Sequence, residues 1–107
     1  MVNDTIVAIS TPPGRSGISV IRSSGPKVSE IVLAVAGTLP VPRQAFYGEF
    51  TGRDREIIDA GILLFFQGPR SYTGEDVAEF HTHGGLVVSQ LLFETLCGFG
   101  ARPARLQ

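Results

Sequence analysis

The sequence contains a single cysteine, no tryptophan and no long hydrophobic run. Because Cys97 has no second cysteine in the chain to pair with, an internal disulfide is excluded. The longest apolar stretch, residues 62–66, is far shorter than the roughly 20 residues that a spanning helix needs, so we expect no membrane contact. Asp4 lies where a signal peptide would place a cationic segment before an apolar run. These features together predict a cytoplasmic protein.

Neither sign of charge dominates, since 9 Lys and Arg against 10 Asp and Glu give a formal net charge of −1 at pH 7. Nucleic-acid binding needs a concentrated basic surface, so the composition argues against a main contact with nucleic acid. A chain of 107 residues predicts a single domain with its own core. The 13 glycines and 7 prolines indicate many tight turns, or backbone that lies close to a ligand.

Periodicity along the chain predicts two helices among groups of strands. Alternating or continuous apolar patterns predict strands at residues 6–9, 17–23, 44–51, 57–66 and 77–81, with a short strand possible within 101–106. One helix is expected between Pro26 and Gly37, with Val28, Ile31, Val32 and Val35 on one face, and a second from 84–85 to about Gly98. The second helix is expected to bury Val88, Leu91, Leu92, Thr95 and Phe99. Strands grouped between helices favour an α+β fold with a mixed or antiparallel sheet.

Two turns outside this pattern are candidates for function. The turn at residues 14–17 could bind an anion through its backbone N–H groups or be purely structural. It lacks the lysine and hydroxyl pair of a phosphate-binding loop, which occurs nowhere in the chain, so we expect no nucleotide hydrolysis by this chain. Residues 67–76 lack periodicity and predict a surface loop that is longer than most connections.

Arg22 and Glu79 are the charges that the strand pattern singles out. Each occupies an otherwise apolar face of a predicted strand, where a charge is rarely buried without a partner. They could pair with each other. They could instead bind a polar heteroaromatic ligand, because a carboxylate accepts two N–H bonds and a guanidinium binds carbonyl or carboxylate oxygens. The rim of such a pocket, or a hydroxyl-capped turn, is predicted at Ser71, Tyr72, Thr73, Gly74, Glu75 and Asp76.

Other reactive side chains favour structural roles. His81 and His83 could supply two metal ligands with Glu79 as a third, but rings packed at a turn are the better interpretation, and we expect no metal site. Cys97 has no cationic neighbours in the sequence and is expected to pack in or near the core. Asp59 interrupts a hydrophobic strand, where a carboxylate requires a partner or an edge position.

Several strings occur in a single order and carry a specific resemblance. They are Asp4-Thr5-Ile6-Val7-Ala8, Thr11-Pro12-Pro13-Gly14-Arg15, Ile21-Arg22 before Ser24-Gly25-Pro26, Pro42-Arg43, Ser71-Tyr72-Thr73-Gly74-Glu75-Asp76-Val77, Glu79, and His83-Gly84-Gly85. Together, from Asp4 to about Arg105, they resemble the N-terminal domain of the MnmE (TrmE) family of tRNA modification GTPases.

The resemblance implies a fold similar to the tetrahydrofolate-binding domain of the glycine cleavage T-protein. Family members are homodimers through this domain and bind a formyl-tetrahydrofolate, such as 5-formyltetrahydrofolate, as a one-carbon source. With the flavoprotein MnmG they modify the wobble uridine of certain tRNAs. The folate-contacting arginine and glutamate of the family fall on Arg22 and Glu79. GTP, Mg²⁺ and K⁺ belong to a separate GTPase domain of the family.

The chain also departs from the family pattern. The helical and GTPase domains, and a folate-contacting lysine beyond this region, have no counterpart in residues 1–107. His81-Thr82 stand where the family usually has Gln-Gly, and Leu106-Gln107 stand where it has Pro-Gly. We expect residues 1–107 to be a single folate-binding and dimerisation domain without catalytic activity of its own, with tRNA contacted only through the complete complex. The alternative is a dimerisation and docking module that binds no folate in isolation.

Overall fold

The computed structural model describes residues 4–10, 18–71, 73–83 and 85–104. These residues form an α+β fold, as the sequence predicts, with six strands and two helices. In chain order the elements are β1 (Ile6–Ile9), β2 (Ser19–Ser24), α1 (Val28–Ala36), β3 (Phe46–Thr51), β4 (Ile57–Phe66), β5 (Val77–Thr82), α2 (Gly85–Gly98) and β6 (Arg102–Pro103).

All six strands belong to one mixed sheet with the spatial order β3-β4-β5-β2-β1-β6. Every neighbouring pair is antiparallel except β1 and β6, which run parallel. Strands β3 and β4 form an antiparallel hairpin, and β4 lies inside the sheet between β3 and β5. Because β2 and β5 are neighbours although they are far apart in sequence, the sheet joins residues of both halves of the chain.

Helix α1 agrees with its prediction because its sequence signals are unambiguous. Pro26 precedes the helix, and the Lys27 N–H donates to Thr5 Oγ1 at 2.8 Å. Gly37 ends it in the left-handed conformation with φ 79°, which glycine adopts without steric cost, and its N–H bonds to the Leu33 carbonyl. The buried residues are Val28, Ile31, Val32 and Val35, the predicted set.

The predicted face of helix α2 is partly wrong. Its buried residues are Ser89, Leu92, Thr95 and Leu96, whereas Leu91 is 40% exposed. Apolar residues lie on both sides of this helix, so periodicity alone does not define the buried side. Ser89 and Thr95 can be buried because their hydroxyls donate to the carbonyls of residues 85 and 91, each at 2.8 Å.

The two helices contribute to one core on the same face of the sheet. Helix residues pack there with Ile21, Leu63 and Phe80, which lie side by side on three neighbouring strands. Phe50 meets Phe80 edge to face, with ring centroids 5.3 Å apart. Most of the alternate residues near the middle of the same strands are only half-buried. We call this second surface the open face; it comprises Val20, Arg22, Ile62, Leu64, Phe66, Glu79 and His81.

Candidate functional site

Arg22 and Glu79 form an ion pair in the middle of the open face. The antiparallel register of β2 and β5 places the two residues directly opposite each other. Arg22 donates to Glu79 Oε2 from Nη2 at 2.7 Å and from Nε at 3.0 Å. The Glu79 side chain is 17% exposed and that of Arg22 is 36% exposed. The sequence left open whether these two residues pair with each other, and the pairing is observed. Both side chains are partly buried and line a cavity.

The second carboxylate oxygen of Glu79, Oε1, makes a longer contact than Oε2 makes with Arg22. His81 Nε2 lies 3.4 Å from Glu79 Oε1, which is a long contact compared with the Arg22 bonds. A carboxylate has several acceptor sites on its two oxygens. Glu79 therefore keeps acceptor capacity on the side away from Arg22.

A cavity of about 460 Å³ opens beside this ion pair. Its lining combines an apolar wall with a basic edge and one carboxylate. The lining residues are Arg22, Arg43, Phe66, Pro69, Arg70, Ser71, Val77 and Glu79. Small-molecule sites typically combine apolar walls with a few polar groups that fix orientation, and this cavity has that composition.

Arg43 is a cavity residue that sequence reasoning did not select for function. It has φ 66°, which is uncommon for a residue other than glycine. Its N–H donates to the Phe65 carbonyl at 2.7 Å, and its Nη1 donates to the Arg70 carbonyl at 3.0 Å. Its guanidinium lies 5.8 Å from the centre of the Phe66 ring. The only sequence signal was the Pro42-Arg43 string, which carries no periodicity.

The predicted rim divides between two cavities. Ser71 lines the cavity beside Glu79, and Tyr72 lies outside the described residues. Gly74, Glu75 and Asp76 line a neighbouring cavity of about 310 Å³. The Thr73 and Ser24 hydroxyls are 2.8 Å apart.

Contacts within the loop explain this division. The Gly68 N–H donates to Asp76 Oδ1 at 2.9 Å, and the Ser71 hydroxyl donates to the Glu75 carbonyl. The Glu75 N–H donates to Thr73 Oγ1 at 3.3 Å. Several polar groups of the segment are therefore used to hold the turn, in agreement with the capped-turn interpretation. Ser71 alone among the described rim residues lines the cavity beside Glu79.

The histidines show no metal-binding arrangement among the described residues, where no three His, Cys, Asp or Glu side chains come together. The His83 N–H donates to Asp59 Oδ2 at 2.8 Å, and His83 Nδ1 is 3.4 Å from the Ala60 carbonyl. Asp59 thus has the partner that a carboxylate in a strand requires. The possible anion-binding turn at 14–17 lies outside the described residues.

Cys97 lies on α2 and packs half-buried against the core, as expected. Burial raises the pKa of the Cys97 thiol, and the negative charge of Glu94 raises it further. A raised pKa keeps the group as an unreactive thiol at neutral pH. We therefore assign no chemistry to Cys97.

Comparison with known proteins gives consistent matches. The family model described as the GTP-binding protein TrmE N-terminus matches residues 5–106. The tRNA modification GTPase MnmE of Stutzerimonas stutzeri is 50% identical over 102 residues, which cover 95% of this chain and 22% of the relative. That of Alkalilimnicola ehrlichii is 50% identical over 105 residues, which cover 98% of this chain and 24% of the relative. The chain thus spans less than a quarter of the length of these relatives. No helix among the described residues has both the length and the apolarity needed to cross a membrane.

Proposed function

This chain belongs to the family of TrmE N-terminal domains, and from that premise we propose that it binds a formyl-tetrahydrofolate and mediates homodimerisation. The observation that carries the proposal is the cavity where the Arg22–Glu79 pair meets an apolar wall. The activity proposed for the whole protein is tRNA modification coupled to GTP hydrolysis, since its relatives are named tRNA modification GTPases.

The pterin ring of a folate has the chemistry that this cavity suits. Its amino group and adjacent ring N–H are neighbouring donors, which a carboxylate can accept together. Glu79 has free acceptor capacity on Oε1, and only 17% of its side chain is exposed. Because water competes weakly at such a position, hydrogen bonds to the ligand would contribute strongly to binding.

Arg22 and the apolar wall would complete the contacts. Arg22 is held by its two bonds to Glu79 and lines the same cavity, so its guanidinium would lie beside the carbonyl or formyl oxygen of the ligand. Phe66 and Pro69 line the same cavity and offer apolar surface to the ring system. Ser71 supplies a hydroxyl at the cavity edge.

The open face supports the dimerisation part of the proposal. Ile62, Leu64 and Phe66 lie on it and are half-buried, although neither helix packs on that side. An apolar surface of this kind typically marks a contact with another protein. A second copy of the chain would cover it and add an apolar wall near the cavity.

Other activities belong to the whole protein in this proposal. GTP, Mg²⁺ and K⁺ would bind in its GTPase domain, and MnmG would act as its partner. tRNA would be contacted only by the complete complex, because the charge balance of this chain provides no broad basic surface. We propose that these activities take place in the cytoplasm.

The test of the folate site is calorimetric titration with 5-formyltetrahydrofolate. Glu79→Ala is expected to lose about 2 kcal/mol or more of binding free energy, or roughly 30-fold in affinity, because it removes a partly desolvated acceptor. Glu30→Ala is the matched control, since Glu30 is an exposed carboxylate of α1. Equal affinity for the wild type and Glu79→Ala would rule out this assignment. Dimerisation without any folate binding would favour the docking module.

A further inference from the structure

We propose that Arg43 and Arg70 form an anion subsite that binds the γ-linked glutamyl tail of the folate and favours polyglutamylated forms. This inference rests on the folate site proposed above and names a part of the ligand that Arg22 and Glu79 do not explain. The structural observation is a basic edge that continues outward from the Glu79 cavity.

The two arginines lie where two cavities meet. Both line the cavity beside Glu79 and a second cavity of about 350 Å³. Pro69 also lines both. The second cavity is otherwise lined by Pro42, Gln67 and Gly68. A ligand whose ring lies at Glu79 would therefore extend its tail past Arg43 and Arg70 into the second cavity.

The charge at this edge is not compensated by protein carboxylates. In the described parts of the chain, neither Arg43 nor Arg70 forms an ion pair. Among the described lining residues, Glu79 is the acidic residue of the first cavity and is bonded by Arg22, and none of those that line the second cavity is acidic. This local excess of positive charge contrasts with the net charge of −1 for the whole chain. It favours an anionic ligand group.

Arg43 is also held in place before any ligand arrives. Its backbone N–H and its Nη1 are both bonded, and its guanidinium lies over the Phe66 ring. A guanidinium that is already oriented loses less conformational entropy when it binds a carboxylate. Its Nη1 bond to the backbone carbonyl of Arg70 fixes Arg43 against the segment that carries Arg70.

A glutamyl tail fits this subsite better than the phosphates of RNA. Each additional γ-linked glutamate adds a free carboxylate, which suits guanidinium groups placed along a trough. Affinity for an RNA backbone comes from many phosphate contacts, and two arginines beside a cavity of about 350 Å³ provide few. The position of the arginines next to Glu79 also couples them to the ligand of that cavity.

The test compares three ligands by calorimetry on the 107-residue chain: 5-formyltetrahydropteroate without a tail, 5-formyltetrahydrofolate, and its triglutamate. The variants are Arg70→Gln and Arg43→Gln. Arg55→Gln is the matched control, because Arg55 is an exposed arginine with the same φ of 66° as Arg43 and lies away from both cavities. Arg43→Lys keeps the charge and shows whether the bond to the Arg70 carbonyl matters by itself.

We expect Arg70→Gln and Arg43→Gln to weaken triglutamate binding roughly five- to tenfold while changing tail-less binding less than about twofold. Arg55→Gln should leave all three affinities unchanged. Equal weakening for the three ligands would overturn the subsite and leave the folate site intact. No binding of any ligand by the wild type would overturn the folate site itself. Weaker binding of tRNA, with unchanged triglutamate affinity, would reassign the arginines to RNA.

Discussion

The two faces of the sheet are formed by the same strands but differ in burial and charge. On the helix-covered face, Ile21, Leu63 and Phe80 are fully buried, and hydrocarbon packing dominates. On the open face their sequence neighbours Arg22 and Glu79 are half-buried and charged. Strand alternation thus places the packed core and the proposed binding surface on opposite sides of the same strands. The difference predicts that substitutions on one face affect unfolding, whereas those on the other affect association and binding.

The sharpest test of this comparison is a pair of phenylalanine substitutions. Phe80→Ala should lower the free energy of unfolding by about 3–5 kcal/mol, because Phe80 is fully buried and packs against Phe50. Phe66→Ala removes a half-buried ring of the open face and should cost about 1–2 kcal/mol. Urea unfolding monitored by circular dichroism measures both. Equal losses would mean that the open face is packed as tightly as the core.

The second test concerns what covers the open face. Ile62→Lys should weaken self-association by about 2 kcal/mol or more, because a lysine in an apolar interface loses hydration without a partner. Leu33→Lys is the control, since Leu33 is 50% exposed on α1. Sedimentation over a range of concentrations measures the dimer dissociation constant. A dimer that is unaffected by Ile62→Lys and weakened by Leu33→Lys would place the interface on the helix layer.

The third test compares two ion pairs. A double-mutant cycle on Arg22 and Glu79 should give a coupling free energy of about 1 kcal/mol or somewhat more, because the pair is half-buried. The pair between Arg102 and Asp4 has side chains that are 50% and 42% exposed, so its coupling should be about 0.5 kcal/mol or less. Thermal unfolding of the single and double variants measures both. A larger coupling at the exposed pair would contradict the contrast between the two environments.

The parts of the fold that sequence predicts correctly are those with one dominant local signal. In helix α1 the β-branched residues Val28, Ile31, Val32 and Val35 lie on one side between Pro26 and Gly37, and this predicted face is confirmed. In β3, strand alternation places Phe50 and Tyr47 on opposite faces, and Phe50 is buried whereas Tyr47 is 66% exposed. Helix α2 gives two competing apolar sides: the prediction that Leu92 and Thr95 are buried is confirmed, but buried Ser89 is missed because its hydroxyl cannot be distinguished in sequence from an exposed one.

The candidate site likewise contains some residues that the sequence identifies and others that it does not. Arg22 and Glu79 interrupt regular alternation, so the sequence identifies both. Arg43 and Arg70 lie in segments without periodicity and reach the cavity only because the chain folds back there. The contact that positions Arg43 is a bond from its N–H to the Phe65 carbonyl, and no local pattern predicts this pairing. Local periodicity therefore does not predict residues that only tertiary contacts bring to a site.

The smallest expected effect is on the alkylation rate of Cys97, which lies half-buried on α2 at the helix-covered side of the sheet. Burial and the nearby Glu94 raise the pKa of the Cys97 thiol, so less thiolate is present at pH 8 than in an unfolded chain. Iodoacetamide should alkylate the native protein more slowly than the same chain in urea. The alkylation rate of the native protein should also reach its half-maximum at a higher pH.

Glu94→Gln separates the two causes. Removing the negative charge lowers the pKa of the thiol, so alkylation at pH 8 should become faster, yet it should remain slower than in urea because burial is the larger cause. Glu30→Gln on α1 controls for the loss of one carboxylate. If Glu94→Gln restored the full alkylation rate of the unfolded chain, the charge of Glu94 rather than burial would protect Cys97. The helix layer would then shield Cys97 from solvent no better than the open face shields Glu79.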